Sequence, residues 1–249
     1  MKYLIALLLF VIIFSCGNDS SLNNDDDDFA VFFVDPNLED VVREALGTDT
    51  AALFYSDLQD ITALDANNRG ITNISGIGNI ENLVSLNLER NSIINIGPLR
   101  GLSDLEELNL GNNQIEDINI LSALISLVDL SLDSNQITDL SSLAGLTDIT
   151  RLNLSGNEIT NIDAVGPLFD LEQLYLDNNQ VEDISALTAL TNARLLSLNN
   201  NQIEDITALV DNSGLGTGDE VRLTGNPLSS ESTMDHIPAL QVRGVKVVY

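Results

Sequence analysis

Residues 127–146 read LVDLSLDSNQITDLSSLAGL, with apolar side chains at Leu127, Leu130, Leu132, Ile137, Leu140, Leu143 and Leu146. A half-buried strand needs an apolar period of 2 and a helix one near 3.6, and these gaps of 3, 2, 5, 3, 3 and 3 match neither. The same spacing recurs along the chain. Leu64, Leu86, Leu108, Leu130, Leu152, Leu174 and Leu196 each follow the last by 22 residues, and a second column two residues on runs Ala66, Leu88, Leu110, Leu132, Leu154, Leu176, Leu198. Such a fixed period marks a solenoid, in which every coil is one unit that cannot bury its apolar face alone. A coil supplies about seven apolar side chains, too few to offset the ordering of 22 residues unless neighbours share their burial.

Five residues after the first leucine stands a polar column: Asn91, Asn113, Asn135, Asn157, Asn179 and Asn201, with Asn226 in the last coil and Arg69 in the first. A chain that turns sharply out of a strand leaves backbone N–H and C=O groups without sheet partners. An inward amide can both donate and accept, so these asparagines are read as scaffold, serving their own coil and the next. Ser75, Gly97, Asn119, Ser141, Asp163, Ser185 and Thr207 are residue types that cap helical turns, and are read as caps of the return segment. Just before them, Asn73, Asn95, Asp117, Asp139, Asn161, Asp183 and Asp205 read as a solvated edge.

The pattern LxxLxLxxNxIxxIxxLxxL resembles the leucine-rich repeat, and its 22-residue length resembles the internalin class of bacterial surface proteins. The resemblance covers roughly residues 33–249. It implies an α/β leucine-rich repeat solenoid: a curved parallel β-sheet on the concave side, 3-10 or irregular segments on the convex side, and a helical N-terminal cap. The expected organisation is a leader over 1–15, an acidic tether over 16–28, an N-terminal cap over 29–62, about eight coils over 63–228 and a C-terminal cap over 229–249. In the first cap, Asp35 and Pro36 open a helix that Gly47 closes. Leu38, Val41, Val42, Ala45 and Leu46 give it one apolar face, with Phe29, Phe32 and Phe33 packed nearby or, alternatively, marking a contact site. At the far end GNPLSSESTMDHIPAL followed by RGVKVVY reads as a short helix, ended by Pro238, and a closing edge strand.

Acids outnumber bases 38 to 10, a formal charge of −28, which repels phosphate backbones and excludes nucleic acid as a partner. The chain opens MKYLIALLLFVIIFSC, an apolar run too short to span a bilayer, ending on the single cysteine. This resembles the processing box of bacterial lipoproteins, which implies an acylated Cys16 anchoring the chain to a membrane. GNDSSLNNDDDD, residues 17–28, should be extended and solvated. An acidic stretch so placed resembles the surface-export signal of Bacteroidota lipoproteins, which implies an outer-membrane, outward-facing location. One His and one Cys offer no metal pair, DDDD at 25–28 lacks the alternation of a calcium loop, and no nucleophile has a base. No enzyme, cofactor or metal site is expected.

What remains is the face of the sheet that points out of the core. Three columns cross it: Ser85, Glu107, Asp129, Arg151, Gln173, Leu195; then Asn87, Asn109, Ser131, Asn153, Tyr175, Ser197, Arg222; then Glu89, Gly111, Asp133, Ser155, Asp177, Asn199. Tyr175 is their one aromatic, and aromatics and Arg dominate binding hot spots. The expected contact patch is therefore Arg151, Asn153, Tyr175, Asp177, Leu195 and Ser197, extended by Asp129 and Asp133. The expected function is a monomeric, non-catalytic module for a protein or glycan. The alternatives are an adhesive envelope protein without one ligand, and a calcium-modulated polysaccharide binder using Glu107, Asp129 and Asp133.

Overall fold

The computed structural model describes residues 28–48 and 52–249. The leader, Cys16 and all of the tether but Asp28 lie outside the described residues. Nine parallel strands form one sheet in chain order: β3 (Ala63–Asp65), β4 (Ser85–Asn87), β5 (Glu107–Asn109), β6 (Asp129–Ser131), β7 (Arg151–Asn153), β8 (Gln173–Tyr175), β9 (Leu195–Ser197), β10 (Glu220–Arg222) and β11 (Lys246–Val248). The register is in phase: Leu64, Leu86, Leu108, Leu130, Leu152, Leu174, Leu196 and Val221 are successive Cα partners. Both leucine columns are buried. The return limbs are short 3-10 turns, such as Gly97–Leu99, Ser141–Leu143 and Asp163–Val165, until the last repeat forms the helix α3 (Thr207–Asp211). The irregular spacing of the opening stretch is thus one circuit: strand, bend, turn and return.

The asparagine ladder has the expected role but the opposite direction. Asn135 Nδ2 donates to Leu132 O in its own coil at 3.1 Å and to Leu110 O of the preceding coil at 3.0 Å, while its Oδ1 accepts from Ile115 N at 2.9 Å. Asn91, Asn113, Asn157, Asn179, Asn201 and Asn226 repeat this, each reaching back one coil and not forward. That direction explains the exception at the first coil. Before Arg69 there is no coil to reach back to, and the Arg69 guanidinium instead binds Glu44 of the helix α1 (Pro36–Leu46) at 2.6 and 3.2 Å.

The two outer columns exchange roles. Asp139 Oδ1 accepts from Ser141 N at 2.8 Å, and the same bond, two residues long, recurs from Asn73, Asn95, Asp117, Asn161, Asp183 and Asp205. These side chains close Asx turns that start each return limb. Of the residues expected as caps, Gly97, Asn119, Ser141, Asp163 and Ser185 are the first residues inside the 3-10 turns, Thr207 is the first of α3, and Ser75 lies two residues before its turn. A further column, one residue before the ladder, bends the chain with positive φ: Asn68, Arg90, Asn112, Ser134, Gly156, Asn178 and Asn200. Asn and Gly tolerate that conformation best, so the excess of both at this position was a readable signal.

At the front, α1 buries Leu38, Val41 and Val42, whereas Leu46 is half-buried and Ala45 exposed. Asp35 caps the helix through Asn37 N at 3.0 Å and also docks it, accepting from Thr72 N at 2.7 Å and Asn73 N at 3.2 Å. Burial pushes the Asp35 carboxyl up, but the bonds from Thr72, Asn37 and Asn73 outweigh it and hold it below the ordinary value. The short strands β1 (Ala30–Val31) and β2 (Leu53–Phe54) pair antiparallel beside it, followed by α2 (Tyr55–Leu58). Of the three phenylalanines expected to pack here only Phe33 is buried, at 6% exposure; Phe32 is 80% exposed and Phe29 51%. Phe33 lies so close to Gly76, whose φ is +104°, that a Cβ there would sit 2.8 Å from the ring.

At the back, a π-helical turn (Ser232–His236) runs into α4 (Ile237–Val242), and β11 pairs with β10 to close the sheet. Pro238 does not end the helix. It is the second residue of α4, directly after the π-helical turn, and the helix runs on through it to Val242. Two residues of this end escaped the sequence reading. Buried Asn212 donates to Leu187 O and Leu190 O, and Arg243 donates to the carbonyls of Val210, Asn212 and Leu215. Together they hold the longer final loop.

Candidate binding face

Strand pairing brings the expected patch together. Asp129, Arg151, Gln173 and Leu195 are successive neighbours in one column, and Ser131, Asn153, Tyr175 and Ser197 in the next. The Arg151 guanidinium lies 5.9 Å from the Tyr175 ring centroid, within cation–π range. It also reaches Asp129 at 3.6 Å. Arg151 is exposed, whereas Tyr175, Leu195 and Asn153 are half-buried. The Tyr175 hydroxyl is held on the face, donating to Gln173 Oε1 at 3.0 Å.

Other members are engaged within the face itself. Ser197 is fully buried and donates to Asp177 at 2.7 and 2.9 Å. Asp177 also accepts from Asn199 N and Nδ2, both at 2.7 Å. Ser197 is therefore a support for Asp177, not a contact surface. Asp133 accepts from Ser131 at 2.8 Å, Asn112 at 3.0 Å and Asn153 at 3.3 Å. It leans over Gly111 so closely that a Cβ there would collide with the carboxylate. Gly111 in this column thus makes room for the Asp133 carboxylate, which folds down onto the sheet.

The acids left facing solvent lie nearer the N-terminal end. Glu107, bonded by Ser85 at 2.9 Å, is the register neighbour of Asp129. With Asn87, Asn109, Asn153 and Arg151 they line a cleft of about 310 Å³ across β4–β7. Burial pushes the Asp129 carboxyl up, Arg151 pulls it down and Glu107 pushes it up again, for a net rise. The asparagines of the middle column turn their acceptors inward: Asn87, Asn109 and Asn153 each accept a backbone N–H two residues on. Two of their amide donors are also taken within the face, Asn109 Nδ2 by Glu89 at 3.4 Å and Asn153 Nδ2 by Asp133 at 3.3 Å. The expected patch was centred on β7–β9 and extended to Asp129 and Asp133, with Glu107 and Asp129 paired only for a cation, and not as the lining of one cleft with the asparagines. The neighbouring Glu107 and Asp129 were its visible sign. Among the described residues no three His, Cys, Asp or Glu side chains gather in a way that could hold a metal ion.

The repeats match the family described as Leucine Rich repeats (2 copies) at residues 81–123, 125–167 and 170–211. The crystal structure of internalin C2 from Listeria monocytogenes is 35% identical, at a TM-score of 0.79 over 87% of this chain and 93% of that one. A leucine-rich repeat protein of Leptospira interrogans shares the fold at 23% identity and a TM-score of 0.55, over 78% of this chain and 62% of that one. The ectodomain of the Arabidopsis thaliana receptor kinase GASSHO1/SCHENGEN3, solved in complex with CASPARIAN STRIP INTEGRITY FACTOR 2, shares it at 22% identity and 0.65. This chain matches 77% of its own length and 24% of that receptor's. No curated protein matches.

Proposed function

This chain belongs to the leucine-rich repeat family, and on that premise we propose that it is a non-catalytic binding module whose concave face takes a protein partner. The observation that carries the reading is the Arg151–Tyr175 pair beside the Glu107–Asp129 cleft. A cation–aromatic pair 5.9 Å apart, a row of asparagines and the carboxylates of Glu107 and Asp129 stand on one face, outside the hydrophobic core. Aromatic and Arg anchors supply most of the energy of protein recognition, while the acids select a partner carrying Lys or Arg. The internalin and plant receptor neighbours favour this reading over catalysis.

Cys16 would carry the lipid that holds the module to an outer membrane, facing outward. The apolar run before it and the acidic residues after it support this, and among the described residues no helix is long and apolar enough to cross a membrane. The experiment is a pull-down with the full chain and with the Arg151→Ala, Tyr175→Ala double variant. Loss of the retained partner at unchanged circular dichroism supports the reading, and equal retention by both proteins contradicts it.

A further inference from the structure

Within FAVFFVD, residues 29–35, burial alternates from Ala30 onward: Val31, Phe33 and Asp35 are buried, while Ala30, Phe32 and Val34 are exposed, as is Phe29 before them. Beside the two-residue edge strand β1 (Ala30–Val31), an exposed extended segment should carry polar residues on its wet side. Here the wet face is apolar instead. Phe32 is 80% exposed and Val34 65%. Phe54, the cross-strand partner of Ala30, is 40% exposed, and Phe29, stacked on Tyr55 at 5.1 Å between ring centroids, is 51% exposed. Large apolar side chains this exposed mark a surface that something else covers, and no described residue covers this one.

We propose that this face seats on a lipid surface, in a zwitterionic leaflet, beside the acyl chain of Cys16. The proposal rests on the lipid-anchor reading of Cys16. That residue lies 13 positions before Phe29, so the patch is never more than about 45 Å of extended chain from the anchor. Tethering at that range raises the effective concentration enough for a small apolar patch to dock. The charge of −28 and the aspartates at 25–28 oppose an anionic surface, which selects zwitterionic lipid. The geometry leaves the binding face free. Val34 N donates to Ser75 O, at the start of the first return limb, so the patch lies on the convex side of the N-terminal end. Seating there stands the solenoid on its first coil with the concave face clear of the membrane.

The chain has no Trp, so Phe32→Trp is a single-site reporter at an exposed position. The full acylated chain is reconstituted in phosphatidylcholine vesicles containing brominated lipid. The expected result is flotation with the vesicles, a blue-shifted emission and bromine quenching. Phe29→Ser with Val34→Ser should lower the quenching at least about threefold without changing circular dichroism, and anionic lipid should lower it as well. Flotation without quenching overturns the docking and leaves the anchor intact. Absence of flotation overturns the anchor, and the docking with it. A concentration-dependent blue shift without vesicles shows that a second copy covers the face, and also overturns the proposal.

Discussion

At the scale of single residues, two positions carry constraints that the leucine pattern does not show. Ser134 has φ of +55° in a column otherwise held mostly by Asn and Gly. A side chain there is strained, and Gly removes the strain at some entropic cost. Ser134→Gly should stabilise the fold by up to about 1 kcal/mol in urea unfolding; a loss of stability would refute the account of the bend. Asp35 ties the cap helix to the first coil, and its folded carboxyl lies below its ordinary value. Its contribution is therefore complete above the unfolded value near 3.9 and fades as pH falls through the folded one. The Tm difference between wild type and Asp35→Asn should be largest near about pH 6 and shrink toward about pH 3. A difference independent of pH would show that the carboxylate charge contributes nothing.

At the scale of elements, the strands and the ladder were legible because their residue types are fixed by burial: Leu130 and Leu132 can only face the core, and Asn135 can only serve backbone. The start of the return limb was not legible in the same way. Asp139 and Ser141 both suit a helix N-terminus, and composition cannot tell a residue that closes an Asx turn from the residue it bonds. The structure assigns the bond to Asp139 Oδ1. Asp139→Ala should cost about 1 kcal/mol, whereas Ser141→Ala should stay within about 0.5 kcal/mol. The reverse order in thermal unfolding would restore the sequence reading. The candidate site was legible only as columns. Which acids remain free depends on side-chain bonds between coils, such as Ser197 to Asp177 across β8 and β9, and periodicity is silent about those.

At the scale of the whole molecule, the ladder reaching back one coil at a time makes the stack a chain of nearest-neighbour couplings. It is held at the front by Asp35 and Arg69 and at the back by Asn212, Arg243 and β11. The scaffold leaves one face unburdened by folding, and the central claim is that this face binds. The most direct test places a photo-crosslinking residue at position 175, and separately at exposed Thr147 on the return limb, in the full chain displayed on cells. The account predicts one discrete adduct from position 175, lost when Arg151→Ala is added, and none from position 147. No adduct from position 175, or the same adduct from both positions, would contradict it.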